Sequence, residues 1–433
     1  MIVRAYRNNA YDCVIMSMLF FGCAGLINPA FMPIKPSDIC LVVCFTLFLI
    51  FKKAPIIKKT VLLVVAYGAV FFCFAFFSDE LLSVQVFMWR RCLGFAFFII
   101  PIVVFSRRKF EFMDFWNRLF PYVLLLCLFY IIDAYILCGH ILMPGTINYG
   151  QSTFYEPAAS PLSFNIVRKY PQGLYLLFLL IYPVAKYFKL KAWQWTIIIL
   201  ALISTQTFTI ITAVLFTYVL FCFGVRRLLW VILACILAMG MAYWIDGFLP
   251  TRQDDYGVQS KLRIKSSIDQ FIALSDAVDE EDLAAFASGR MAQVLPRIDM
   301  IANEHRQLIG LGFLNPEKNT VKRYEIENEL YTDISASDEV IAEVEIAVVQ
   351  VYVWTGFLGL IIHFLYLLAL YLLVRKLPES TYFGSIFFCC FITGMGGFAC
   401  LSATDGILLL AMAFSAIILA ARDRLPGFTA ITK

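Results

Sequence analysis

Apolar runs bounded by charged residues recur along almost the whole of this chain, and no other feature limits its fold so severely. A helix needs about 20 residues to cross about 30 Å of hydrocarbon. Twelve runs approach or reach that length: 11–30, 38–51, 60–77, 92–105, 119–142, 173–188, 192–205, 208–225, 228–245, 348–374, 382–401 and 406–421. An unpaired backbone amide or carbonyl in lipid costs several kcal/mol, which restricts spanning segments to helices and closed barrels. The runs lack the alternation of a barrel strand. A soluble alternative fails on composition, because 61% of the 433 residues are hydrophobic, 15% are charged and 42 are phenylalanine. Soluble domains carry about a quarter charged residues. The expected fold is an all-α polytopic membrane protein of about 12 transmembrane helices. Only Ser204, Thr205 and Gln206 signal a turn within 192–225, so that stretch is also readable as one long hairpin. No cleavable signal peptide is expected, since the first run is of spanning length and the second follows almost at once.

Orientation follows from the lysines and arginines of the short loops, which are in excess on the cytoplasmic side. With the N-terminus inside, Arg4/Arg7, Lys52/Lys53/Lys58/Lys59, Arg107/Arg108/Lys109, Lys186/Lys189/Lys191, Arg226/Arg227, Arg375/Lys376 and Arg422/Arg424 all fall in the cytoplasm. Both termini are then cytoplasmic, in a bacterial inner membrane. The chain divides into helices 1–9 (1–245), a large periplasmic loop (246–347), and helices 10–12 with a tail (348–433). Arg90/Arg91 and Arg168/Lys169 break the pattern by lying outside. Two readings stay open for them: side chains snorkelling to the headgroups, or cations that grip an anionic substrate such as a lipid-linked phosphate.

The long outer segment carries twenty acidic and ten basic residues from Asp246 to Glu345, with apolar residues interspersed. A loop of that length contains structure of its own or carries function. Residues 288–308 read as a helix: Ser288 caps it, and Val294, Ile298 and Ile301 repeat at helical spacing, with a kink or restart at Pro296. Arg290 and Arg297, seven apart, share one face of an unbroken helix. That face suits either solvent or a pyrophosphate.

Little else suggests chemistry. The thirteen cysteines avoid the outer segment and show no zinc-ligand spacing, so they read as core thiols. His140 and His363, near span ends, read as structural, and His305 as an exposed helix histidine with a claim on substrate only by its position before Gly310 and Gly312. No Walker loop, dinucleotide fingerprint or serine elbow occurs.

Three segments nevertheless belong together. Ser288-Gly289-Arg290 with its helix, then Ile309-Gly310-Leu311-Gly312-Phe313, then Trp354-Thr355-Gly356-Phe357-Leu358-Gly359-Leu360 opening a span, resemble in order and topology the superfamily of Wzy-type O-antigen polymerases and O-antigen ligases. The likeness covers chiefly the last third of the chain. It implies a metal-independent, cofactor-free membrane glycosyltransferase that uses undecaprenyl-pyrophosphate-linked oligosaccharides on the periplasmic side. A chain-length regulator protein is implied as a partner, and no nucleic acid. Ligases carry a His-Asn pair eleven residues before the glycine that matches Gly356. Here that spacing lands on Glu345-Ile346, which favours a polymerase over a ligase and makes Glu345 the candidate base.

Chemically, such a transfer needs stabilisation of charge developing on the departing pyrophosphate and removal of the acceptor hydroxyl's proton. Arg290 is the candidate for the first, with Arg297, Arg90, Arg91, Arg168, Lys169 and His305 as further pyrophosphate ligands. Glu345 is placed about three turns above Gly356 on what reads as one continuous helix, although Glu343 and Glu345 equally suit ordinary interfacial charges. A lipid-linked oligosaccharide flippase or other transporter, and a scaffold whose outer loop binds a protein, are the readings from other classes. No internal repeat of the transporter kind is visible.

Overall fold

The computed structural model describes residues 54–78, 81–89, 112–132, 172–204, 208–246, 298, 301–313, 347–393, 405–421 and 424–425. Among them the chain is helical, with no strand: α1 (Pro55–Cys73, prolonged by a 3-10 turn Phe74–Phe77), α2 (Leu82–Trp89), α3 (Phe112–Ile131), α4 (Leu177–Lys186, after a 3-10 turn Gln172–Leu176), α5 (Ala192–Ser204), α6 (Phe208–Phe223), α7 (Val225–Asp246), α8 (Ala347–Val374), α9 (Thr381–Ile392) and α10 (Asp405–Ala420). Two stretches are long and apolar enough to cross a membrane, Pro55–Phe77 and Val348–Val374. Other apolar helices, such as Ala192–Ser204 and Leu409–Ala420, are shorter. The spans expected at 11–30, 38–51 and 92–105 lie outside the described residues.

The chain forms two compact units, one of residues 1–71, 89–222 and 362–433, the other of 72–88 and 223–361. In the first, α10 is apolar on every side and is its central helix. Every residue from Leu409 to Leu419 is buried, as expected of a helix with no polar stripe. Tyr382 at the start of α9 is fully buried and donates its hydroxyl to the Leu179 carbonyl of α4 at 2.7 Å, while its ring meets Trp116 of α3 edge-on at 5.3 Å. Further along, the Cys389 thiol lies 3.1 Å from the Thr217 hydroxyl of α6. These bonds satisfy polar groups that burial would otherwise penalise.

In the second unit α7 is equally apolar and lies open: Leu229, Trp230, Leu237 and Met241 are each about 60% exposed. Apolar side chains exposed along a whole helix mark a surface that meets something other than water.

Two elements depart from the sequence reading. The outer helix does not continue to Leu308: Ile298 and Ile301–Asn303 are helical, and the chain turns at Glu304 and His305. His305 adopts the left-handed conformation (φ 55°). Its amide donates to Ala302 O at 3.0 Å and that of Arg306 to Ile301 O at 3.0 Å, which is the paired closure of a Schellman motif. Nor is α8 one continuous helix. Gly356 sits at φ 61°, ψ −166°, a region open essentially to glycine alone. His363, read as near a span end, lies well inside α8 instead.

Candidate functional site

The break at Gly356 creates a local deficit that the outer segment fills. In an unbroken helix the amides of Phe357 and Leu358 would bond the carbonyls of Val353 and Trp354. The kink separates them and strands two donors and two acceptors, each costing about 1–3 kcal/mol if buried without a partner. The segment 307–312 supplies all four partners. Phe357 N donates to Gln307 O and Leu358 N to Leu308 O, both at 3.0 Å; Leu311 N donates to Val353 O at 2.8 Å and Gly312 N to Trp354 O at 2.9 Å.

Glycines make so close an approach feasible. Gly310 (φ 71°) lies directly on α8, where an added Cβ would come 2.5 Å from the backbone of Trp354 and Thr355. A Cβ on Gly356 would strike the backbone of Leu308. At Gly312 (φ 79°) it would strike Ser78. All three positions have a positive φ that costs other residues about 1–2 kcal/mol, and all three lie within the motifs singled out above.

Side chains lock the seam at both ends. Phe313 is fully buried, with its ring edge-on to Trp354 at 5.5 Å. Its backbone is read by Gln85 of α2, also fully buried: the Phe313 amide donates to Gln85 Oε1 at 2.9 Å, and Gln85 Nε2 donates to the Phe313 carbonyl and, at 2.9 Å, to the Ser78 hydroxyl. A primary amide paired this way imitates a strand partner. At the other end Arg306 donates through Nη1 to the Phe77 carbonyl and lies 3.6 Å from the Glu304 carboxylate.

Of the residues expected at a site, Arg90, Arg91, Arg168, Lys169, Arg290, Arg297 and Glu345 lie outside the described residues. His305 is exposed and caps the outer helix as described. Sequence reasoning passed over Arg306 and Gln85. The signal for Gln85 was a lone amide in an apolar helix; that for Arg306 was a cation immediately before the glycine motif.

Two polar clusters occur in the other unit. Tyr67 of α1 and His363 of α8 are both buried, with the Tyr67 hydroxyl 2.7 Å from His363 Nδ1. In the turn between α8 and α9, Glu379 receives hydrogen bonds from Tyr182, Tyr187 and Lys186, the last at 3.2 Å. Partial burial pushes the Glu379 carboxyl up, but those hydrogen bonds and the Lys186 charge outweigh it and hold the carboxyl below its ordinary value. Among the described residues no group of three His, Cys, Asp or Glu side chains is placed to hold a metal ion. No protein-family model matches the chain, and no curated protein matches it.

Proposed function

We propose that this chain is a surface-polysaccharide polymerase of the O-antigen type: a multi-pass inner-membrane glycosyltransferase, with cytoplasmic termini, that moves a growing glycan from undecaprenyl pyrophosphate to the next lipid-linked repeat unit. The observation that supports the reading is the seam. Two of the three segments that carry the family resemblance, Ile309–Phe313 and Trp354–Leu360, are more than forty residues apart in sequence, yet Leu311 and Gly312 bond backbone to backbone with Val353 and Trp354. A motif pair that shares one joint is one functional element rather than two chance strings. The joint ties the segment that follows Arg290 and Arg297 in sequence to the helix that begins at Ala347, two residues after Glu345 in sequence.

In the reaction the acceptor sugar hydroxyl attacks the anomeric carbon. The bond from that carbon to the pyrophosphate oxygen breaks, and pyrophosphate leaves on its lipid. Glu345 takes the hydroxyl proton, and Arg290 and Arg297 stabilise the charge on the leaving group. One displacement inverts the anomeric centre. No nucleotide is consumed, because the lipid pyrophosphate is already a good leaving group. The glutamate at the ligase histidine position favours polymerase over ligase.

The test is the banding of surface polysaccharide in a deletion strain complemented with variants. The deletion should leave one repeat unit on the lipid core and no ladder, and the intact gene should restore the ladder. Glu345→Gln and Arg290→Lys should each restore little or none at normal protein level, since one lacks the proton acceptor and the other the bidentate fork. A repeat unit retained on the cytoplasmic face would identify a flippase instead, and a normal ladder in the deletion strain would end the polymerase reading.

A further inference from the structure

We infer that the tip of the segment paired to α8, residues 307–309, lies inside the membrane surface, with the Leu308 side chain among lipid acyl chains in the leaflet opposite Arg375. The inference rests on the spanning reading of α8 and not on the polymerase reading. Its first support is depth. From Phe357 to Val374 run eighteen residues, all apolar or small except His363 and two tyrosines, and the charged pair Arg375 and Lys376 follows at once. At about 1.5 Å per residue this half of α8 rises about 27 Å, nearly the hydrocarbon thickness of about 30 Å. With Arg375 held at one headgroup layer, Phe357 and Leu358 therefore lie at the opposite boundary of the hydrocarbon. Leu358 N donates to Leu308 O at 3.0 Å, so Leu308 is fixed at the same depth.

The second support is what Leu308 exposes. It is 64% exposed, next to Phe357 at 54% and Leu358 at 41%, and Ile361 one turn further along α8 is 55% exposed. The apolar surface of the loop is thus continuous with the surface that α8 itself would present to lipid. The third is the backbone. Irregular chain at membrane depth is tolerated only where its polar groups are satisfied by protein. Gln307 O and Leu308 O accept from α8, Gly310 N donates to Arg306 O at 2.7 Å, and Leu311 N and Gly312 N donate to α8. Arg306 at the start of the tip is turned back to the Phe77 carbonyl. A loop expected to stand clear of the bilayer instead has the features of a segment that enters it.

The full chain is reconstituted in phosphatidylcholine vesicles with the photoreactive residue p-benzoylphenylalanine at Leu308 or, separately, at the exposed mid-helix Leu365, then irradiated and searched by mass spectrometry for phospholipid adducts. Adducts at both positions are expected. An adduct at Leu365 with none at Leu308 overturns the insertion of the loop while leaving the spanning helix intact. Adducts at neither position remove the membrane crossing of α8, and this inference with it.

Discussion

Glycines at positive φ are not equivalent, and this chain contains an internal comparison. Gly224, between α6 and α7, has φ 80° and open space around its missing Cβ. Gly310 has nearly the same φ, but its Cβ would meet backbone atoms of Trp354, Thr355 and Gly356. Alanine at Gly224 should therefore cost only the left-handed conformation, about 1–2 kcal/mol. Alanine at Gly310 adds a clash with main chain that can yield only by opening the seam and orphaning groups worth about 1–3 kcal/mol each. The expected outcome is a detergent-solubilised Gly310→Ala protein whose melting temperature falls well below that of Gly224→Ala. Equal melting temperatures would mean that the seam contributes nothing to stability. The sequence reading of Glu345 counts back from Gly356 along what it takes to be one continuous helix. The break removes that licence, because Ala347–Thr355 is a half-helix with its own direction, and the choice between Glu343 and Glu345 comes from comparing the polysaccharide ladders of Glu343→Gln and Glu345→Gln.

At the level of elements, the turn between α8 and α9 is joined to α4 through one carboxylate. Glu379 holds a left-handed backbone (φ 61°) and gathers Tyr182, Tyr187 and Lys186. Because its folded pKa is depressed, the stability it contributes is fully present above the unfolded value of about 4.3 and is lost as pH falls through the lower folded value. Glu379→Gln should melt below the wild type at pH 7, and the gap should narrow as the pH is taken below about 4. A gap independent of pH would show that the charge is irrelevant. This cluster was invisible in the sequence, since Glu379 and Tyr182 lie almost two hundred positions apart and nothing local marks them. Helix positions were far more legible. The reading 192–205 corresponds to α5 at Ala192–Ser204, 208–225 to α6 at Phe208–Phe223, and 406–421 to α10 at Asp405–Ala420, because a charged or small-polar boundary on an apolar run is a local signal. The break in α8 was not legible. One glycine in an apolar helix costs only about 1 kcal/mol, so it announces nothing until the distant segment that mends the break is known. The early end of the outer helix escaped for a related reason: its closing residue is His305 rather than the glycine that usually marks such an end.

For the whole molecule, the decisive question is which side of a membrane each segment faces, and the described helices bear on it through contrast. α10 is apolar and buried, whereas α7 is apolar and open, so apolar surface is used both as core and as a face toward something other than water. On the proposed multi-pass reading, lipid makes both stable, since it removes the cost of open apolar surface and leaves packing to decide which helices are central. The basic clusters then set the direction. Lys58 and Lys59 lie in the first turn of α1, Arg226 and Arg227 at the start of α7, and Arg375 and Lys376 just past α8. Cations at one end of each of these helices are what cytoplasmic retention selects. A reporter enzyme that is active only in the periplasm should therefore work when fused near Tyr256 or Glu325 and stay silent near Lys58, Arg226 or Arg424. Activity at Lys58 would reverse the orientation and put the outer segment in the cytoplasm, where a periplasmic lipid-linked sugar could not reach Arg290. Activity at both Lys58 and Tyr256 would instead mean an even number of crossings between them, where the sequence reading has an odd number, and would redraw the topology between α1 and α7 while leaving the seam at Gly356 as described.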